Sequence, residues 1–263
     1  MKVIPFSITY PGAYVNLANA ADTSAVGNLL GLGESCLVEA AVALGAYSDA
    51  KELASKIDPD ARMIRRRRIG ELQDTVRAEL NIGGNASREQ LDQIRVEAAR
   101  RLLVELAAQG TMPNKYRHRR VFVFARSFLF SLARLRQVFS QLSEIQAIKA
   151  PADAALGALD LAVPKLVGVR DSSAHADERA VGEECGRPIK HKNDAIPAIV
   201  ANGNTLLENL VNDNFGSTMA NGHHGEVAVT QQTFDACVEA FNLLVQGLTW
   251  TGPREVAPSP FSA

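Results

Sequence analysis

Cysteine is scarce in this 263-residue chain, and its three copies (Cys36, Cys185, Cys237) lie far apart with no C-x-x-C pair. That spacing excludes a disulfide framework and the common zinc patterns, and it predicts reduced thiols in a cytoplasmic protein. No unbroken run reaches the roughly 18 apolar residues of a membrane span, and Pro5 interrupts any secretory apolar region, so no membrane association is expected. Gly33-Glu34-Ser35-Cys36-Leu37 lacks the second glycine of a nucleophile elbow. Gly27, Gly31 and Gly33 are followed by no Gly-Lys-Ser/Thr, which rules out a phosphate-binding P-loop there.

What is present is an ordinary globular composition, 46% apolar, with enough length to bury a real core. The net charge of −1 hides an asymmetry. Between Arg62 and Arg136 stand seventeen Lys and Arg against seven Asp and Glu, which leaves eleven against twenty-two elsewhere. A basic middle of this kind suits a polyanion, although solvated helix faces produce the same count.

Helical periodicity dominates. Residues 1–19 read as an extended entry broken by Pro5, Pro11 and Gly12. Asp22-Thr23-Ser24 could cap a helix running toward Ile57, with its many small residues implying close packing or an interruption. Asp58-Pro59-Asp60 begins a second helix to about Leu80. It contains Arg65-Arg66-Arg67-Arg68, which at 100° per residue cannot share one face. Ser87 and Gln90 form a capping box for a third helix to about Ala108, with Leu91, Ile94, Ala98, Leu102 and Leu106 as its buried stripe. The longest periodic segment, about 117–148, carries Val121, Phe124, Phe128, Leu132, Leu135, Phe139, Leu142 and Ile145 as a core stripe. Pro151 suits the first turn of the next helix, and Pro164 should kink or restart it. Two strands, near 206–211 and 225–230, predict a hairpin with Asn221-Gly222 in its turn. A last helix is capped by Thr230, and the tail after Trp250 should fray. The expected fold is mainly α: a helical bundle with a small β-hairpin before the last helix. The expected division is 1–110 as a helical region packing on or extending the bundle, 111–250 as the main helical domain and 251–263 as a flexible tail.

The densest set of ionisable and hydroxyl side chains is Arg170-Asp171-Ser172-Ser173-Ala174-His175-Ala176-Asp177-Glu178-Arg179. Its plain reading is a helix N-cap cluster, Asp171-Ser172-Ser173, with Asp177 and Glu178 near the positive end of the helix dipole. Its chemical reading starts from Asp171 and His175, which at i, i+4 share a helix face. If the helix begins just after Arg170, the guanidinium is free to swing toward the imidazole. An imidazole that moves protons near neutral pH, beside a guanidinium that grips phosphate with two donors, suits metal-independent phosphodiester cleavage.

Arg170-Asp171-x-x-x-His175 resembles the R-[polar]-x3-H motif of the HEPN superfamily of helical bundles. The longer string through Asp177-Glu178-Arg179 is similar to an uncharacterised bacterial HEPN-like group with R-N-x-x-x-H-x-D-E-R. The resemblance covers about 117–250; residues 1–110 carry none of it. Two positions depart from the pattern: Asp171 stands where Asn or His is usual, and Ala174 where an acid often precedes the histidine. The resemblance implies a metal-independent endoribonuclease, a toxin or defence component, in which the RNA 2′-hydroxyl attacks the adjacent phosphate. His175 is then the base, Arg170 the cation and Asp171 the orienting group. It also implies a homodimer whose two motifs share one cleft and supply both base and acid, with a cognate antitoxin or other protein as partner. The alternative it allows is a non-catalytic module binding a nucleotide, RNA or a protein.

Ser172, Ser173 and Arg179 are candidate substrate contacts beside the motif, and Lys115, Arg117, Arg119 and Arg120, with His118 among them, form the best basic patch for contact to an RNA backbone. No cofactor or metal is expected. His223-His224 falls in the hairpin loop, and Cys185, His191, His175 and Asp177 match no recurrent metal spacing.

Overall fold

The computed structural model describes residues 2–56, 59–184, 186–190, 195–196, 199–200 and 205–259. In chain order the elements are β1 (Ile8–Tyr10), β2 (Tyr14–Val15), α1 (Ala20–Ser55), α2 (Pro59–Glu79), α3 (Arg88–Ala108), α4 (Asn114–Ser143), α5 (Lys149–Ala162), α6 (Leu166–Ala174) and α7 (Ala176–Ala180). Then come the short pairs β3 (Glu183–Glu184) with β4 (Arg187–Pro188) and β5 (Ala195–Ile196) with β6 (Ile199–Val200). The sheet β7 (Asn209–Val211), β8 (Asn214–Thr218), β9 (His224–Ala228), the helix α8 (Gln231–Gln246), and strands β10 (Trp250–Thr251) and β11 (Glu255–Ala257) close the chain. The protein is a mainly α helical bundle with a small β-hairpin before its last helix.

Contacts divide the chain into two compact units, Met1–Asp49 with Phe122–Ala263, and Ala50–Val121. A division at residue 110 is not what the contacts draw. The entry segment belongs with the end of the chain because β1 pairs antiparallel with β11 and β2 with β10. The same pairing corrects the expected frayed tail: the chain stays strand-paired through Ala257, and Trp250 packs edge-on to Tyr10.

In the first unit, α8 supplies the core. Phe234, Cys237, Val238, Phe241, Leu244, Val245 and Leu248 are all buried, as their spacing predicts, and Thr230 caps the helix by accepting the Thr233 N–H. α5 packs against α8, and the α4 residues Phe128, Leu132, Leu135, Phe139 and Leu142 are buried as well. The rings of Phe139 on α4 and Phe241 on α8 meet at a tilt of 34°, with centroids 6.1 Å apart. At 30 residues α4 is about 45 Å long. It stops at Ser143, short of Ile148, where a 3-10 turn hands the chain to α5.

The cap of α1 is Asn19 rather than Asp22-Thr23-Ser24: its Oδ1 accepts the Ala21 N–H at 2.9 Å. The helix runs uninterrupted despite its glycines. It is also long enough to cross a membrane, with an 18-residue window of mean hydropathy 1.6, and half of that window is buried inside the fold. The absence of an unbroken apolar run therefore understated the hydropathy of this segment, because scattered Gly, Ser and Asn interrupt the run without lowering its mean much.

The hairpin differs in one strand. β8 lies between β7 and β9, so the segment near 206–211 pairs with β8 and not with 225–230. Asn212 and Asp213, with φ of 50° and 65°, make a two-residue turn between β7 and β8. Asn221-Gly222 sits in the β8–β9 turn, as its sequence predicts.

The second unit is α2 packed on α3. Leu72, Val76, Ile94 and Ala98 form its small core, with Ile69, Ile82 and Leu102 around it. Leu91, expected in the stripe, is exposed. The capping box is complete: Ser87 accepts from Gln90 N–H, and the Gln90 side chain accepts from Ser87 N–H. Ion pairs flank the core, with both oxygens of Glu105 on Arg68 and both of Glu79 on Arg101.

Candidate functional site

The central stretch is positioned by the helix break at Pro164. Leu166 and Val169 are fully buried, so α6 starts at Leu166 to place them in the core, and Ser172 and Ser173 follow on the same inward side. This corrects the capping reading: Asp171, Ser172 and Ser173 occupy the last turn of α6, and the helix does not begin after Arg170. His175 ends α6 and opens α7, with φ −107° and ψ 42° at the junction.

The two hydroxyls are internal. Ser172 donates to the Gly168 carbonyl at 2.9 Å, and Ser173 to Glu208 Oε1 at 2.9 Å. Glu208 also holds Arg126 in an ion pair. Arg179 is 2% exposed; its Nη1 donates to the Glu183 carbonyl at 2.7 Å, and Nη2 lies 3.8 Å from Glu184. Ser172 bonds within α6, Ser173 ties α6 to the residue preceding β7, and Arg179 ties α7 to β3, so the three side chains are engaged internally and buried.

Arg170, Asp171 and His175 stay outside. Arg170 Nη1 pairs with Asp171 Oδ1 at 2.9 Å. Asp171 meets His175 through its backbone carbonyl, which accepts the His175 N–H at 3.0 Å. The imidazole Nδ1 lies 3.3 Å from Glu178 Oε1. Asp171 and His175 border a concavity of about 350 Å³ together with Glu178, Arg179, Glu184 and Met219. Arg170 borders a different one, of about 460 Å³, with Glu39, Ser127, Phe130, Arg134 and Gln137. The carboxylates Asp171, Glu178 and Glu184 border the same concavity as the imidazole, paired respectively with Arg170, His175 and Arg179.

A third concavity, about 660 Å³, lies wholly within the second unit and is bordered by Lys56, Arg62, Arg65, Arg66, Arg117 and His118 together with the apolar Ile69 and Leu102. Of the proposed backbone contacts, Arg117 borders it, while Lys115, Arg119 and Arg120 do not. His118, also in the expected basic patch, borders it, whereas Arg62, Arg65 and Arg66 were not among the candidates. Their signal was available: Arg62, Arg65, Arg66 and Ile69 stand at i, i+3, i+4 and i+7, which is one helix face.

Comparison of the chain with protein-family models, curated proteins and solved structures finds no match. The residues themselves therefore carry the functional argument. His223 lies in the β8–β9 turn, but His224 is in β9, buried, with Nε2 3.1 Å from Glu226. Cys185 and His191 fall outside the described residues. Among those described, no group of three or more His, Cys, Asp or Glu is placed to hold a metal ion. Cys36 and Cys237 are buried free thiols, and burial pushes them up to about 11 and about 12.

Proposed function

We propose that this protein is a HEPN-like helical module that binds RNA through its cation-lined second unit, and that a single chain does not cleave it. The observation that carries this reading is the parting of Arg170 and His175 into different concavities. Metal-independent cleavage requires a proton-transfer group and a cation at the same phosphate. The concavity that holds His175 instead presents Asp171, Glu178 and Glu184, and its one guanidinium, Arg179, is buried against Glu183 and Glu184. The cations that a phosphate backbone needs are concentrated between residues 56 and 118. A cytoplasmic location, free of membrane and with a protein partner in addition to RNA, belongs to the same proposal.

A second reading draws on the His175–Glu178 contact. A carboxylate at Nδ1 fixes the imidazole and leaves Nε2 for proton transfer. In a homodimer, Arg170 of one copy could face His175 of the other, which would complete an endoribonuclease of the toxin or defence type.

The test is incubation of RNA with the protein in EDTA, followed by native and denaturing gels. The module reading expects complexes that weaken as salt rises, with the RNA intact. EDTA-resistant fragments ending in 2′,3′-cyclic phosphates, absent with His175→Ala, would replace it with the second reading.

A further inference from the structure

The arginine run on α2 is divided. Arg67 and Arg68 turn to carboxylates: Arg67 to Glu71 at 3.2 Å, and Arg68 to Glu71 and to both oxygens of Glu105. Arg65 and Arg66 turn the other way, with Arg62 one helical turn before them, and border the 660 Å³ concavity. Across it stand Arg117 and His118 from the start of α4. Among the described residues, no carboxylate borders this space.

The cations differ in availability. Lys56 is held by Glu52 at 2.7 Å. Arg62 and Arg66 are exposed and make no ion pair among the described residues. Arg117 is half-buried, and its Nε–H is sequestered from water with no hydrogen-bond partner. A buried donor without a partner is unfavourable until an acceptor reaches it. Guanidinium groups bind phosphate oxygens in pairs of parallel hydrogen bonds, and several around one concavity match several adjacent phosphates. The volume suits a small ligand. Among the described residues the lining includes no Phe, Tyr or Trp, so the guanidinium groups rather than a large aromatic platform dominate it.

We infer that this concavity binds a short run of linked phosphates, gripped by Arg62, Arg66 and Arg117. The 5′-triphosphate end of an RNA, a nucleoside triphosphate and inorganic tripolyphosphate share that chemistry. The inference rests on the binding-module reading and narrows its ligand.

Isothermal titration of the full chain with inorganic tripolyphosphate tests it, with ATP, AMP and one RNA bearing either a 5′-triphosphate or a 5′-hydroxyl as comparison arms. Tripolyphosphate should bind, AMP about tenfold more weakly or worse, and the Arg62→Ala/Arg66→Ala double variant should lose about tenfold or more for tripolyphosphate. Both arginines are exposed, so the double variant should keep its thermal unfolding curve, and Arg67→Ala serves as a control that binds as wild type does. The tightest of the three phosphate sources names the natural one. Failure of tripolyphosphate to bind, or equal binding by the double variant, overturns the inference. If the 5′-hydroxyl RNA binds while tripolyphosphate neither binds nor competes, this inference falls and the module reading stands. If neither RNA nor tripolyphosphate binds, both fall.

Discussion

Arg170 Nη1 lies 2.9 Å from Asp171 Oδ1, yet these neighbouring side chains border different concavities. Asp171 shares its concavity with His175, while Arg170 shares its own with Arg134 and Glu39. The consequence for stability is small. The His175 side chain is 57% exposed, and such surface pairs contribute about 0–1 kcal/mol. His175→Ala and Asp171→Ala should therefore each cost under about 1 kcal/mol in urea unfolding. A loss of several kcal/mol would show that the stretch is structural.

The opposite holds one helical face away. Glu208 accepts from Ser173 and pairs with Arg126, with its own side chain only 8% exposed. Glu208→Ala removes the partner of both, at an expected cost of about 2–3 kcal/mol, and Ser173→Ala about 1 kcal/mol. Equilibrium unfolding of the two variants checks the order, which should not reverse.

Much of this was legible in the sequence and some was not. The α8 stripe and the Ser87/Gln90 box follow from local pattern and are present as expected, because each depends only on residues three or four apart. The additional strand β8 was missed because Asn212-Asp213 lacks the glycine of the strongest hairpin signal, although both residues take positive φ. The pairing of β1 with β11 joins residues nearly the whole chain apart, which no local pattern encodes. At the site, spacing put Asp171 and His175 on one helix face, and they border one concavity, but spacing could not show that Ser172, Ser173 and Arg179 are engaged internally. Burial of Leu166 and Val169 decides that by fixing the rotation of α6.

Glycines in α1 divide by what surrounds them. A Cβ on Gly33 would stand 2.5 Å from Phe241 Cε2, whose ring is fully buried, whereas one on Gly27 meets nothing within 4 Å. Gly33→Ala should cost about 1–3 kcal/mol through overpacking. Gly27→Ala should be neutral or stabilising by up to about 1 kcal/mol, since alanine is the better helix former. Thermal melts of both variants would contradict the packing of α1 on α8 if their order were inverted.

Acid should loosen the α2–α3 pair. Hydrogen bonds from Arg100 and Arg101 hold Glu97 down to about 2; Glu79 is lowered by Arg101, and Glu71 and Glu105 by Arg68. A carboxylate with a depressed folded pKa contributes stability that is complete above its unfolded value, near 4.5, and disappears as pH falls through the folded value. Stability should therefore fall between about pH 4.5 and 2, by a modest amount because these pairs are solvent-exposed. Thermal midpoints measured across that range, with Glu97→Gln showing a shallower decline, would check it. An increase in stability on acidification would contradict the sign.

The most direct test of the account uses one gel. Transcribed RNA carrying a 5′-triphosphate is incubated in EDTA with wild type, Arg62→Ala/Arg66→Ala and His175→Ala, then resolved natively and under denaturing conditions. The account predicts a shifted complex with wild type and His175→Ala, a much weaker one with the arginine double variant, and full-length RNA in every lane. Fragments ending in 2′,3′-cyclic phosphates that depend on His175, or a complex indifferent to Arg62 and Arg66, would contradict it.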